Sequence, residues 1–280
     1  MIRAIVAAAV IAMAAPACTH APACAVPSVP ANALPFLWKV HRDDGPTLWL
    51  YGTLHDLGAA DVPKPAWSAL DGSRVFASEL GDVPPDPDKL ADLVKIKAGP
   101  GLDSLLDADH WYALRDTLAG SIKEDALKRV QPWYALTLLT KKAAPPPSPE
   151  MDVALAEHAS SKRLRVDHLE QWDEQLAALQ GSITAADLAA AIDQVKSMSC
   201  QIARIKAAYA SGDLVAMGQL LGAEQAATLL TARNQVWLPK LEVYLAAGGA
   251  FVAVGVSHMA GDTGLPALFE KAGYTVERMR

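Results

Sequence analysis

Strand patterns lie at both ends of this chain, and helical patterns fill its middle. The run Ala250 to Val256 is almost wholly apolar, as expected of a strand covered on both faces of a sheet. Residues 36–54 predict a β-hairpin, with strands Phe36 to Val40 and Leu48 to Tyr51 around the turn Asp43-Asp44-Gly45-Pro46. We therefore expect an α/β fold with α+β character: one mixed sheet built from N- and C-terminal strands, with a large helical insertion.

Shorter patterns complete this picture. Further strands are predicted at Arg74 to Leu80, Leu164 to Leu169 and Tyr274 to Met279, and a short helix is predicted at Leu265 to Lys271. Apolar residues recur at helical spacing through the middle, residues 89–247, which the proline-rich connector Ala143 to Glu150 interrupts. We expect one domain over residues 36–280.

The N-terminus has the pattern of an export signal. Residues 1–17 carry an early cation and an apolar, alanine-rich stretch, with small residues ahead of Cys18. Cys18 could be the lipid-attachment cysteine of a bacterial lipoprotein, which Ala17 favours and Pro16 disfavours. Residues 18–34 then read as a flexible tether. The expected location is the periplasm or cell envelope, with lipid-anchored membrane association left open.

Composition excludes other classes of protein. The formal net charge of −6 leaves no overall basic surface for nucleic acid. Beyond the N-terminus no apolar run reaches about 18 residues, so we expect no transmembrane span in the mature chain. With only three cysteines, no disulfide framework is expected, and Cys200 in its helical pattern is expected to be a small buried hydrophobe.

Two segments match each other and end in histidine. LWLYGTLH ends at His55 and FVAVGVSH at His258, each with glycine three residues earlier, at Gly52 and Gly255. Open α/β sheets bind ligands beyond the carboxyl ends of their strands, so the two imidazoles could converge there. Glu79, near the end of a third apolar strand, adds a carboxylate.

These three side chains allow several kinds of chemistry. Two histidines and a glutamate can bind a divalent metal that activates water. The same groups could instead act as general acid and base without a metal. They could also be structural, with hydrogen-bonded histidines and a glutamate at the surface.

Further polar residues are candidates for the same site. Glu170, at a strand-to-helix junction, could reach the cleft or stabilise the N-terminus of the next helix. Arg233 could stabilise an oxyanion or hold a substrate carboxylate, or it could form a salt bridge to the sheet. The residues assigned to substrate binding are Gly52, Gly255, Glu170 and Asn234.

Several motifs carry a resemblance to a known family. They include LWLYGTLH at 48–55, QPWYALTLL at 131–139, the segment 151–176 and VGVSHMAGDTGLPALFEKAGYTVERM at 254–279. In their order and spacing these segments resemble the TraB/PrgY/GumN family, which is related to the Tiki metalloproteases. Met151 stands where the family usually has glycine before its aspartate, a departure near the expected cleft.

The resemblance implies a function as well as a fold. Tiki-like members are metal-dependent proteases whose site is formed by paired G-x-x-H motifs and a glutamate, with Mn or Co as the usual metal. Related folds include a haem-binding lipoprotein group and erythromycin esterases, which hydrolyse esters with His and Glu. Carried over, His55, His258 and Glu79 match the metal and catalytic positions, and Arg233 is a further catalytic candidate.

The leading hypothesis is therefore an exported, peptidase-like hydrolase that depends on a divalent metal. His55 and His258 would be ligands, with Glu79 as third ligand or general base. Two alternatives stay open. One is a non-catalytic envelope protein that binds a peptide, haem or another small molecule, and the other is a metal-free esterase.

Overall fold

A single mixed sheet confirms the predicted fold class. The computed structural model describes residues 24–81 and 86–280. Within them the sheet has six strands in the order β4-β3-β5-β2-β1-β6. The strands are β1 (Leu37–His41), β2 (Leu48–Thr53), β3 (Val75–Leu80), β4 (Arg165–Glu170), β5 (Ala250–Gly255) and β6 (Thr275–Arg278).

The apolar run near the C-terminus forms the centre of the sheet. β5 lies between β3 and β2, parallel to both, and all but its last residue are buried. Phe251 packs against Phe76 of β3 and Tyr51 of β2, with ring centroids 6.3 and 5.8 Å apart. Truncating such a buried aromatic side chain typically costs about 3 to 5 kcal/mol, so this strand holds the sheet together.

Four neighbouring strands run in the same direction. β3 is parallel to β4 and to β5, and β5 is parallel to β2. Their carboxyl ends therefore lie at one edge of the sheet. The predicted hairpin is confirmed on the other side, where β1 pairs antiparallel with β2 and β6 pairs antiparallel with β1.

Helices follow the predicted periodicity but divide into more segments. They are α1 (Lys64–Asp71), α2 (Pro87–Leu93), α3 (Leu102–Leu105), α4 (Ala108–Thr117), α5 (Glu124–Lys128), α6 (Pro132–Ala143), α7 (Met151–Ser161), α8 (Trp172–Ser182), α9 (Ala185–Asp193), α10 (Met198–Ser211), α11 (Leu214–Gly218), α12 (Ala223–Ala226), α13 (Ala232–Ala247) and α14 (Leu265–Lys271). A π-helical turn, Ala227–Thr231, joins α12 to α13. None of the helices in the described ranges is long and apolar enough to cross a membrane.

The described residues divide into two compact units. Residues 24–25, 86–145 and 172–202 form a helical unit, and residues 26–81, 146–171 and 203–280 form the unit that contains the whole sheet. The helical unit contains the greater part of the predicted helical middle. The sheet unit contains every residue proposed above for the site except Cys18, which lies outside the described residues.

A glycine pair, Gly248-Gly249, connects α13 to the central strand. Gly248 has a φ of 72°, in the left-handed region that favours glycine, and a Cβ there would lie 2.9 Å from the Cβ of Pro46. Arg74, just before β3, donates to the carbonyls of Ala247 and Gly248. The side chain therefore satisfies carbonyls that the helix end leaves unpaired.

A disulfide corrects the expectation for Cys200. Cys200 of α10 is bonded to Cys24, so it is not a reduced, buried hydrophobe. The sequence separation of 176 residues explains why no local pattern indicated this pair. The bond attaches the segment predicted to be a tether to the helical unit.

Candidate functional site

Four parallel strands each deliver an ionisable side chain to the same edge of the sheet. Glu170 ends β4, and Glu79 is the penultimate residue of β3. His258 follows β5 and His55 follows β2; Thr53 pairs with Gly255, so His55 lies two residues and His258 three residues beyond this last pair. The carboxyl edge of a parallel sheet is where such folds bind ligands. We call this group of four the edge cluster.

Arg233 joins the two glutamates of the edge cluster. Its guanidinium donates to Glu170 through Nε (3.0 Å) and Nη2 (2.6 Å), and Nη2 also donates to Glu79 Oε2 at 2.9 Å. All three side chains are largely buried. Glu170 and Arg233 therefore form a salt bridge with each other. This salt bridge connects Arg233 to the edge cluster.

The π-helical turn before α13 helps to aim this arginine. Arg233 lies in the first turn of α13, and its Nη1 donates to the carbonyl of Leu229 within the π-turn at 2.8 Å. Such turns widen a helix by one residue and are frequent at functional sites. The guanidinium also packs 4.6 Å above the ring of Trp237, one helical turn further on.

His258 is held in one orientation and one protonation state. Asn234 donates its amide to the carbonyls of His258 and Thr263, so its Oδ1 must be the atom that faces His258 Nδ1 at 2.7 Å. Because an amide oxygen only accepts, Nδ1 carries the imidazole proton. His258 Nε2 then accepts from Arg233 Nη1 at 3.2 Å. Burial lowers the pKa of His258 to about 3. The charge of Glu79 opposes this shift, and the charge of Arg233 adds to it.

Glu79 is ionised despite its burial. Burial alone would raise its pKa, but Arg233, then His258 and the backbone amide of Gly255, lower the pKa to about 2. That amide donates to Glu79 Oε1 at 2.6 Å. A Cβ on Gly255 would lie 3.2 Å from the same oxygen, so glycine allows the close approach. Glu79 Oε1 also lies 3.6 Å from His258 Nε2.

His55 belongs to a different local network. Its Nδ1 lies 2.7 Å from Asp152 Oδ2 and 3.9 Å from Glu150 Oε2. Thr53 donates to the other oxygen of Asp152 at 2.6 Å. Burial alone would lower the pKa of His55, but the carboxylates, Asp152 foremost, raise it to about 10. His55 is therefore protonated at neutral pH, and His258 is not.

The partners of His55 were missed from the sequence. The sequence patterns predict no role for Asp152, Glu150 or Thr53. Glu150 and Asp152 are brought to His55 by folding, because α7 begins just after the proline-rich connector, whereas Thr53 precedes His55 by two residues and holds Asp152. The available signal was an acid in the first turn of a helix that follows such a connector.

Two residues predicted to bind substrate have clear structural partners. Gly52 accepts from Tyr209 Oη at 2.7 Å, and a Cβ there would lie 3.1 Å from the Cα of Val256. Asn234 is buried and uses both the oxygen and the nitrogen of its amide to hold His258 and its loop. We therefore describe Asn234 as a positioning residue for His258.

The arrangement agrees only in part with a metal centre. Both histidines present Nδ1 to an oxygen, as metal-binding histidines do when Nε2 is the ligand atom. However, Arg233 already contacts Glu79 and His258 Nε2. No group of three or more His, Cys, Asp or Glu side chains within the described ranges is placed to hold a metal ion. As arranged, these residues do not fit a three-ligand site.

The sheet and its edge cluster define an α/β protein with a buried, ionisable site at the carboxyl ends of four parallel strands. A comparison with family models places it more narrowly. The model of the TraB/PrgY/gumN family matches residues 36–278, and the chain belongs to that family. Searches of curated proteins and of solved structures found no match.

Proposed function

We propose that this protein is a hydrolase of carbonyl compounds, such as peptides or esters, whose active site is the edge cluster. The observation that carries the proposal is the opposite protonation of two histidines beside one glutamate. Environments that separate the pKa values of neighbouring groups are typical of acid–base catalysis. Here a neutral His258 and an ionised Glu79 can accept a proton, and a protonated His55 can donate one.

Each group has a role consistent with its exposure. His55 is 27% exposed, so it can reach the substrate's leaving group and donate its proton. Glu79 and the almost fully buried His258 form the accepting pair behind it. Water would lose a proton to this pair as its oxygen bonds to the carbonyl carbon. The bond to the leaving group then breaks as that group takes the proton from His55.

Arg233 would couple oxyanion binding to the basicity of the pair. In the resting site its guanidinium lowers the pKa of both Glu79 and His258. When the substrate's oxygen becomes negative, the guanidinium can turn towards it and stabilise that charge. Its hold on Glu79 and His258 then weakens, so both become better proton acceptors at the moment when they are needed.

A metal-dependent version of this hydrolase is the second candidate. Two observations favour it: the Nδ1 contacts of both histidines, and the excess of carboxyl groups (Glu79, Glu150, Asp152, Glu170) over basic groups at the site. Only if Arg233 left Glu79 and His258 could His55, His258 and Glu79 hold Mn or Co, which would supply a bound water of lowered pKa. As arranged, Arg233 contacts both Glu79 and His258, so this version requires the site to rearrange.

One experiment separates these versions. The purified full-length protein is assayed with chromogenic ester and amide substrates, first in EDTA and then after loading with Mn, Co or Zn. The variants are His55→Ala, Glu79→Gln and His258→Ala, and His110→Ala in the helical unit is the matched control. Hydrolysis in EDTA that only the three site variants lose supports the acid–base version. Hydrolysis that appears only after metal loading supports the metal version. No hydrolysis under either condition contradicts a hydrolase and favours a binding protein.

We also propose that the protein is exported to the periplasm or cell envelope. Residues 1–17 have the pattern of a signal peptide, and the Cys24–Cys200 disulfide supports export because such bonds persist mainly in oxidising compartments. Lipid attachment at Cys18 is a separate proposal. Cell fractionation followed by mass measurement of the mature N-terminus tests both, since a diacylated Cys18 has a characteristic mass.

A further inference from the structure

A cavity in the sheet unit is lined by residues on both sides of His55 in the chain. Its volume is about 400 Å³, within the range of small-ligand sites. Ring faces and apolar side chains make up most of the lining, with Phe36, Tyr51, Leu57 and Tyr209 among them. Lys206 of α10 and Asp61 are the charged residues in the lining. We call this cavity the Lys206 pocket.

The walls of the Lys206 pocket are fixed by hydrogen bonds. On one side, Arg278 donates to the carbonyls of Leu34 and Pro35 and packs 4.6 Å above the ring of Phe36. On the other, Tyr209 Oη donates to the carbonyl of Gly52 and lies 3.1 Å from Tyr51 Oη. A pocket whose walls are already held this way loses little conformational entropy on binding.

The pocket is continuous in sequence with the catalytic histidine. Tyr51 and Leu57, both in its lining, lie on either side of His55 in the chain. The Gly52 carbonyl that accepts from Tyr209 belongs to the same G-x-x-H motif. The charge of Lys206 acts on Asp56, which follows His55 directly. A ligand seated here would therefore lie next to the segment that carries His55.

The charged residues of the lining differ in how the fold uses them. Asp61 accepts from the backbone amide of Gly58 at 2.9 Å and so closes a 3-10 turn. The ammonium of Lys206 makes no hydrogen bond or close ion pair within the described part of the chain, although its charge acts on Asp56. Lys206 is half-buried, on the same helix as Tyr209. An apolar pocket with one such cation suits an apolar group that ends in an anion.

We propose that the Lys206 pocket binds the C-terminal residue of a peptide. An apolar side chain would pack against the accessible apolar residues of the lining, Leu34, Pro35 and Pro63, and the terminal carboxylate would pair with Lys206. This inference rests on the proposed function, because it makes the pocket the specificity subsite of the hydrolase. The bond next to that residue would lie at His55, and its hydrolysis would release one amino acid with an apolar side chain.

Binding tests the pocket without requiring turnover. N-acetylphenylalanine and its uncharged amide are titrated into the full-length protein by isothermal calorimetry. The test variants are Lys206→Met, which keeps the length of the side chain, and Ala210→Trp, which narrows the pocket from the exposed face of α10. Lys64→Met, an exposed lysine next to the lining residue Pro63, is the matched control. Thermal unfolding confirms that each variant is folded.

The expected result is that the native protein and Lys64→Met bind the acid at least about tenfold more tightly than the amide. Lys206→Met should lose this preference, and Ala210→Trp should weaken both ligands. Equal binding of acid and amide, unchanged affinity in Lys206→Met, or no binding at all overturns the inference. Because Glu79→Gln should still bind the acid, failure of hydrolysis can be told apart from failure of the pocket.

Discussion

Arg233 Nη2 donates to Glu79 Oε2 at 2.9 Å, at a place where both side chains are only 13% exposed. This contact joins the start of α13 to the end of β3. It fixes a cation between two carboxylates and beside His258. The geometry and the protonation of the site therefore depend on one guanidinium.

Removing that guanidinium should destabilise the protein in a pH-dependent way. Arg233→Met leaves Glu79 and Glu170 buried without their partner, which typically costs about 3 to 5 kcal/mol. The loss in free energy of unfolding should be greatest near neutral pH and smaller below pH 4.5, where carboxyl groups can be protonated. Urea unfolding across this range measures it. A loss that does not change with pH would contradict the role assigned to Arg233.

The acid and alkaline limbs of the stability profile should come from different residues. The pKa of Glu79 is about 2 in the folded protein and 4.5 in the unfolded chain. Its ionised form therefore stabilises the fold above pH 4.5, and this stabilisation is lost as the pH falls towards 2. The pKa of His55 is raised from 6.5 to about 10 in the folded protein. Protonated His55 therefore stabilises the fold below pH 6.5, and this stabilisation is lost as the pH rises towards 10. Thermal unfolding of His55→Gln should therefore show a flatter alkaline limb than the native protein. His41→Gln serves as control, and an equal change there would refute the assignment.

Asn234 should act through the tautomer of His258. Asn234→Asp replaces the amide oxygen by a carboxylate, which favours the imidazolium and should raise the pKa of His258 from about 3 towards neutrality. Nitrogen NMR of labelled histidine reports both the tautomer and the pKa. If the hydrolase is confirmed, the turnover rate of Asn234→Ala should fall by about 100-fold with its pH profile shifted. A reduced rate with an unchanged tautomer would leave Asn234 a merely structural residue.

The disulfide should contribute measurable stability. Cys200→Ser removes the disulfide with Cys24. It should lower the free energy of unfolding by about 2 to 5 kcal/mol, because the bond constrains a long loop in the unfolded chain. Reductant should shift the urea midpoint of the native protein but not that of Cys200→Ser. Cys18→Ser, which leaves the bond intact, should behave like the native protein. No shift on reduction would mean that the bond does not form in solution.

Substitution of Gly255 should reduce hydrolysis much more than it reduces the stability of the fold. In Gly255→Ala the new Cβ would lie 3.2 Å from Glu79 Oε1, so the carboxylate must move by a few tenths of an ångström. We expect a small change in stability and a large loss of hydrolysis, since the shifted carboxylate of Glu79 would lose its short hydrogen bond from the backbone amide of residue 255. Gly222→Ala, where a Cβ meets nothing within 4 Å, is the control. Native hydrolysis in Gly255→Ala would argue that the position of Glu79 is unimportant.

Local patterns were enough to predict the elements and the strand-end side chains. The hairpin, the buried run of β5 and the helix Leu265–Lys271 follow from alternation, turn residues and helical spacing, which act within a few residues. Glu79, His55 and His258 were found because each ends an apolar strand. The family, whose model matches residues 36–278, was recognised from the same motifs.

Only the tertiary structure decided which of these groups meet. Segments that are distant in sequence meet in the strand order, in the pairing of His55 with Asp152 and in the disulfide of Cys200. Arg233 and Glu79, which are in contact, are 154 residues apart in the chain. Periodicity reports which face of an element is buried, but not which distant residue it faces there. The charges of His55 and His258 follow from those partners, so a motif that looks identical twice in the sequence yields one protonated and one neutral histidine.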